Sequence, residues 1–190
     1  NSKNLEMKTV LFSMERAKKY RIAKWISLRA WEDHKIKMDV PKMMGWKKKD
    51  KIIDDEFDII KSYKDYINKL LSQVEIIEGP RTTKDTFRIL KTMFEKHGRY
   101  EKISQYKEVY IPNNSNLIFN IIIDHGNLTK YSFDEGNKKA AIDKQCEQMQ
   151  GFRDKESAHI VWVAQVNRDL SNPIYQKMDT AELSLDNVKA

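Results

Sequence analysis

Residues 117–123 have the sequence Leu-Ile-Phe-Asn-Ile-Ile-Ile and are followed directly by Asp124 and His125. Apolar side chains occupy both sets of alternating positions, so both faces of a strand formed by this stretch are expected to be buried. This pattern is typical of a central strand in a parallel sheet that helices cover on both sides. The stretch therefore predicts a protein of the α/β class.

Shorter apolar runs and amphipathic stretches alternate around this strand. The runs predict further strands at 9–13, 74–77 and 159–164, and apolar residues at three- and four-residue steps predict helices at 16–31, 54–73, 83–97 and 138–153. Pro41 and Gly45 are expected in a basic loop that runs to Lys51, and residues 99–116 in an irregular connection with a short extended piece at 108–111. This order predicts a parallel sheet with right-handed crossovers and helices on its faces.

Two of the helices carry more specific expectations. Thr82 or Thr83 is predicted to cap the helix that ends before Gly98. The buried face of the helix at 138–153 is predicted to hold Ile142, Cys146, Met149 and Phe152.

Composition limits the class of protein. The chain has 190 residues, of which 40% are hydrophobic, which is enough for one folded domain. Its net charge of +7 fits an anionic partner such as nucleic acid, or equally a solvated basic surface. The single cysteine, Cys146, excludes an intramolecular disulfide and favours a reducing, intracellular setting. The apolar runs are too short for a membrane span.

Polar side chains follow the predicted strands, and ligands of open parallel sheets bind beyond the carboxyl ends of the strands. Glu15 follows the first strand, Asp124 the central strand and Gln165 the last, with Arg168 close behind. Carboxylates, an amide and a cation at one edge are suited to a nucleoside triphosphatase, because phosphoryl transfer depends on charge neutralisation and water positioning.

Each of these residues also has a structural interpretation. Asp124 can hold a magnesium-bound water, or be a plain aspartate at a strand end. Glu15 can orient and deprotonate the attacking water, or be favoured in the first turn of a helix by the helix dipole. Gln165 can sense a γ-phosphate, or satisfy the backbone of a loop.

Three sequence strings together resemble the RecA-like ATPase core of the DnaB family of replicative DNA helicases, in a bacterial or phage form. They are Val10 to Glu15, Ile121 to His125, and Val161 to Arg168, in the family's order. The resemblance implies that Glu15 is the catalytic carboxylate, that Asp124 is the Walker B acid on the magnesium side, and that Gln165 couples the γ-phosphate to the DNA-binding loops. Ala164 stands where the family usually has Ser.

The resemblance also implies cofactors and partners. They are ATP and Mg²⁺, single-stranded DNA, a homo-hexameric ring, and a primase or loader, in the bacterial cytoplasm. The loops 125–137 and 166–180 would face the DNA. The first contains His125, Lys130 and Tyr131, and the second contains Arg168, Asn172 and Lys177. From the second loop, Arg168 and Lys177 are expected to bind DNA together with Lys130.

Departures from the family leave two other functions open. The chain has no G-x-x-x-x-G-K-[ST] motif, so the phosphate-binding loop is expected before residue 1 and the arginine finger after residue 190. Residues 1–190 are then a partial RecA-like domain with a helical insertion at about 33–73. The other candidates are a RecA-class recombinase or loader, and a non-enzymatic RecA-like binding domain.

Overall fold

The computed structural model describes residues 5–47, 51–105 and 107–164. Strands are present at the four positions that the sequence predicts, with helices between them. In chain order they are β1 (Glu6–Ser13), α1 (Lys18–His34), α2 (Val40–Met43), α3 (Asp54–Ser62), α4 (Lys64–Gln73), β2 (Val74–Glu78), α5 (Thr83–His97), β3 (Gly98–Ser104), β4 (Lys107–Pro112), β5 (Leu117–Asp124), α6 (Lys138–Glu156) and β6 (His159–Val163), with 3₁₀ turns at Gly126–Leu128 and Phe133–Glu135.

The main sheet is parallel and has the order β2-β1-β5-β6. The strand β5 lies between β1 and β6, as expected of a central strand. One of its faces is buried, with Phe119, Ile121 and Ile123, but Ile118 on the other face is 36% exposed, so the predicted burial of both faces is correct for one face only. Its register with β1 pairs Val10 with Ile121 and Phe12 with Ile123. The predicted α/β class with a parallel RecA-like sheet is confirmed.

Helices pack closely on one face of this sheet and partly on the other. On the first face, α5 and α6 pack against each other and bury a core that includes Phe12, Phe94, Ile121 and Phe152. Away from this core, α1 contacts β2, and α4 contacts β1 and β2, while Ile118 of β5 and Val161 and Val163 of β6 stay exposed. No helix in the described ranges is long and apolar enough to cross a membrane.

A second apolar cluster explains what residues 33–73 contribute. It consists of Ile26, Ala30, Met38, Tyr63 and Ile67, which are buried between α1 and the segment that follows it. The segment therefore covers the outer side of α1 with apolar residues. The first helix of the segment, α2, is capped by the Asp39 side chain. Pro41 lies in its first turn, where the backbone N–H that proline lacks would have no partner within the helix. The prediction of a loop at Pro41 was therefore wrong.

Two further predictions about local structure were wrong. The helix predicted at 54–73 is divided at Tyr63, where the backbone leaves the helical conformation between α3 and α4. The irregular connection predicted at 99–116 is instead a hairpin of β3 and β4, with Tyr100 opposite Tyr110 and their ring centroids 5.3 Å apart. Only the extended piece predicted at 108–111 is confirmed, as part of β4. Tyr110 also lies edge-on to Phe94, so packing against α5 stabilises this hairpin.

The buried face of α6 also differs from the prediction. Met149 and Phe152 are buried as predicted, but Ile142 and Cys146 are only half-buried. The fully buried polar residue on this face is Gln145. A polar side chain is tolerated there because its amide finds partners on two neighbouring elements.

Candidate functional site

The carboxyl ends of β1 and β5 lie side by side. Ser13 is the register partner of Asp124, and Met14 N–H donates to the Asp124 carbonyl oxygen at 2.7 Å. The residues that follow the two strands are therefore neighbours in space although they are far apart in sequence. This edge of the sheet holds Glu15, Asp124 and His125 together, and the Asp124–His125 peptide bond is cis.

Asp124 is paired with a cation of α1. Its Oδ2 forms an ion pair with the Arg21 guanidinium, and only 19% of its side chain is exposed. Arg21 Nε also donates to Ser13 Oγ at 3.0 Å, and this hydroxyl donates to the Arg16 carbonyl at 2.6 Å. These bonds hold the Asp124 carboxylate against the end of β1.

Sequence reasoning missed Arg21. A signal was present, because α1 begins with basic residues and has no acidic residue in its first turn, which is the opposite of what the helix dipole favours. Cations in such a position are stabilised when they pair with a carboxylate, and Arg21 pairs with Asp124. The start of α1 is also capped from another strand, since Lys18 N–H donates to Glu78 Oε1 at 2.5 Å.

Glu15 is the more accessible carboxylate. Its side chain is 46% exposed, with Oε2 3.5 Å from His125 Nε2 and Oε1 3.3 Å from Arg16. A carboxylate in this position can accept a proton from water at the edge of the sheet. Its two neighbours restrict the directions in which it can point.

The residues present fit magnesium only in combination with phosphates. Within the described ranges, no group of three or more His, Cys, Asp or Glu side chains could hold a metal ion. Magnesium commonly uses one or two carboxylates together with waters and substrate phosphates. Asp124, beside the buried Ser13 hydroxyl, is compatible with that mode and not with an all-protein metal cage.

The loop after β5 carries one of the predicted DNA-binding residues. Lys130 is exposed, and its backbone N–H donates to the Arg81 carbonyl at 2.9 Å, which ties the loop to the start of α5. That helix is capped by Thr82, whose hydroxyl accepts from Asp85 N–H, as predicted. The other three predicted site residues, Gln165, Arg168 and Lys177, lie outside the described residues.

Comparison with known proteins shows which fold the chain shares. No protein-family model and no curated protein sequence matches the chain. Among solved structures, the chain is similar to a protein described under the heading "The Structure Of A DnaB-Like Replicative Helicase And Its Interactions With Primase", with a TM-score of 0.63 and 11% sequence identity. The match covers 97% of this chain and 37% of that one, so the chain spans just over a third of the helicase. At this identity the likeness shows the fold alone: an α/β, RecA-like domain similar to that of a DnaB-like helicase.

Proposed function

We propose that this chain is part of the motor of a ring-forming replicative DNA helicase, which couples ATP hydrolysis to movement along single-stranded DNA and to duplex unwinding. The observation that carries the proposal is the position of Glu15 and Asp124 at the ends of adjacent parallel strands. This is the edge at which α/β sheets bind ligands. The likeness in fold to a DnaB-like helicase supports the same assignment.

Glu15 and Asp124 have different roles in this proposal. Glu15, which is accessible and lies beside His125, accepts the proton of the attacking water. Asp124, which is largely buried and held by Arg21, would hold Mg²⁺ through water. When bound with ATP, Mg²⁺ would neutralise charge on the phosphate oxygens. Gln165 is proposed to link the γ-phosphate to the DNA-binding loops.

The proposed partners follow from the same assignment. Lys130, Arg168 and Lys177 would contact the phosphates of single-stranded DNA, which predicts binding that weakens as salt increases. The solved DnaB-like replicative helicase interacts with primase. A homo-hexameric ring that works with a primase or a loader is therefore proposed for the whole protein.

Glu15→Gln in the full-length protein tests the proposal. The amide cannot act as a base, so DNA-stimulated ATP hydrolysis is expected to fall at least about 100-fold, the lower end of what general-base catalysis contributes. Nucleotide affinity, measured separately by equilibrium binding, is expected to stay unchanged. Glu101→Gln is the matched control, because Glu101 is exposed to a similar extent at 48% but lies on the hairpin. Unchanged hydrolysis by the Glu15 variant would show that the role is misassigned.

A second candidate is a RecA-like domain that binds a partner without hydrolysing ATP. It is favoured by the ion pair of Asp124 with Arg21, which already neutralises the proposed magnesium-side carboxylate. Calorimetric titration of the full-length protein with Mg²⁺-ATP separates the two candidates. Binding accompanied by DNA-stimulated phosphate release supports the motor, and the absence of both supports the binding domain.

A further inference from the structure

The loop between β5 and α6 exposes two aromatic rings to solvent. Phe133 is 99% exposed and Tyr131 is 55% exposed. Single exposed apolar residues are common on protein surfaces. A completely exposed phenylalanine, however, is not shielded by any neighbour in its own chain, so the whole ring contacts water at an unfavourable free energy.

The loop is anchored before the first ring. Thr129 is buried, and its hydroxyl shares its one proton between the Gly126 carbonyl oxygen, at 2.8 Å, and the Gln145 amide oxygen of α6. The next residue, Lys130, forms a parallel bridge with Thr82 at the start of α5. Tyr131 thus follows two residues that are bound to two different helices.

The loop is anchored again on both sides of the second ring. The Glu135 side chain is 3% exposed, accepts from Ser132 N–H at 2.7 Å, and bonds to the Thr83 hydroxyl of α5. Lys144 of α6 lies 3.6 Å from the same carboxylate. Phe133 lies inside this closed turn. Its exposure therefore results from a fixed backbone that directs the ring away from the protein.

Cations lie beside the first of these rings, Tyr131. Lys130 and Lys138 line a surface depression of about 320 Å³ together with Leu128 and Tyr131. The acidic neighbour is Asp134, which is exposed in the same turn as Phe133. Aromatic faces next to a groove with lysines are the two elements with which proteins hold unpaired nucleotides, because bases stack on the rings and cations follow the phosphates.

We propose that the loop 128–138 is a base-stacking platform for single-stranded nucleic acid. Phe133 and Tyr131 stack on unpaired bases, and Lys130 and Lys138 contact the phosphates between them. The proposal rests on the proposed function in placing a single strand at this loop. It goes further in stating that the bases are held as well as the backbone. Bases within a duplex are stacked on both faces by their neighbours, so the platform favours single strands over duplex.

The test compares two ligands of equal length and charge, an oligothymidine and an abasic oligomer, by fluorescence anisotropy with the full-length protein. The wild type is expected to prefer the oligothymidine. Phe133→Ala is expected to weaken oligothymidine binding about fivefold to 150-fold, the range measured for single stacking contacts, and to leave abasic binding unchanged. Phe133→Trp, which keeps a flat ring, should retain affinity. Phe133→Leu, which is apolar without a ring, should lose it.

The controls make each outcome decisive. Phe133 contributes little to the fold because it is fully exposed, and urea unfolding of the variant checks this. Ile103→Ala removes another exposed apolar side chain, 63% exposed on the hairpin, and should leave binding of both oligomers unchanged.

Equal binding of both oligomers by the wild type would overturn the stacking platform and leave the proposed motor intact. Binding of neither oligomer would overturn both. Loss of self-association in Phe133→Ala, seen by sedimentation with DNA binding unchanged, would assign the ring to a subunit contact and also overturn the platform.

Discussion

Glu15 and His125 approach each other across the ends of two neighbouring parallel strands, with 3.5 Å between Glu15 Oε2 and His125 Nε2. Their approach follows from the register of β1 and β5, in which Ser13 is opposite Asp124. The side chain of His125 is 21% exposed. His125 is therefore a positioning residue for the proposed base.

His125→Ala is expected to lower the turnover number for ATP hydrolysis by up to about fivefold, because a contact between partly exposed polar side chains contributes at most about 1 kcal/mol. Nucleotide affinity should not change. Steady-state kinetics and equilibrium binding on the full-length protein measure the two quantities. His159→Ala, at the start of β6, is the control and should have no effect on turnover. A loss of the same size in both variants would argue against a specific role for His125.

Gly126→Ala is expected to destabilise the protein by about 1–3 kcal/mol, as overpacking of a close contact does. A Cβ at this position would overlap the Trp162 indole, which lies directly against the glycine. The free energy of unfolding, from urea titration, measures the effect. Trp162→Val should remove most of the clash, so the double variant should be more stable than the sum of the two single changes predicts.

Gly151→Ala is the opposite case and is expected to stabilise the protein by up to about 1 kcal/mol. It lies within α6, where alanine is a better helix former than glycine. A Cβ there would meet nothing within 4 Å. The same urea titration compares the two glycines. Destabilisation at Gly151 similar to that at Gly126 would mean that the distinction between a packed and an open glycine is wrong.

Local pattern was enough to predict the parallel sheet and most helices. The apolar run of β5 signals a buried strand without reference to any other part of the chain, and Thr82 carries its own capping signal. The hairpin was missed because its stability depends on Tyr100 and Tyr110 packing together, a contact between residues that are polar enough to suggest a loop. Such pairings are decided by tertiary context more than by propensity.

The candidate site was predictable in part for the same reason. Strand ends identified Glu15 and Asp124, and their closeness in space agrees with that expectation. Arg21 was not predicted, because the basic start of α1 does not indicate which carboxylate pairs with it, and that carboxylate is over a hundred positions away. The buried Gln145 was missed because the polarity of a residue argues against burial unless its hydrogen-bond partners are known.

Gln145→Ala is expected to destabilise the protein by about 1–3 kcal/mol, the cost of leaving buried polar groups unpaired. The Gln145 amide accepts from the Thr129 hydroxyl and donates to Thr86 Oγ at 3.3 Å, and all three residues are buried. Gln150→Ala, exposed on the same helix, is the control and should change the free energy of unfolding by less than about 0.5 kcal/mol. The variant should also loosen the loop at Thr129, which faster amide hydrogen exchange there would report. Equal stability of the two variants would show that the buried network contributes nothing.

Glu156→Gln is expected to stabilise the protein at neutral pH and not at acidic pH. Burial raises the pKa of Glu156 above its ordinary value of 4.5, although the hydrogen bond from Tyr100 and the charges of Lys155 and Lys91 act against this shift. Its Oε1 accepts from the Tyr100 hydroxyl at 2.7 Å, while the buried Oε2 has no hydrogen-bond partner in the described part of the protein.

The sign of the pH dependence follows from proton binding. Between the ordinary pKa of 4.5 and the raised pKa, the native state binds more protons at Glu156 than the unfolded state, so the contribution of this residue to stability falls as pH rises. An amide has no charge to desolvate and still accepts from Tyr100. The difference in free energy of unfolding between Glu156→Gln and the wild type should therefore grow from near zero at about pH 4 towards a plateau above the raised pKa. Glu147→Gln, exposed on the same helix, should show no such growth. A difference for Glu156→Gln that stays constant with pH would mean that burial does not raise the pKa of Glu156.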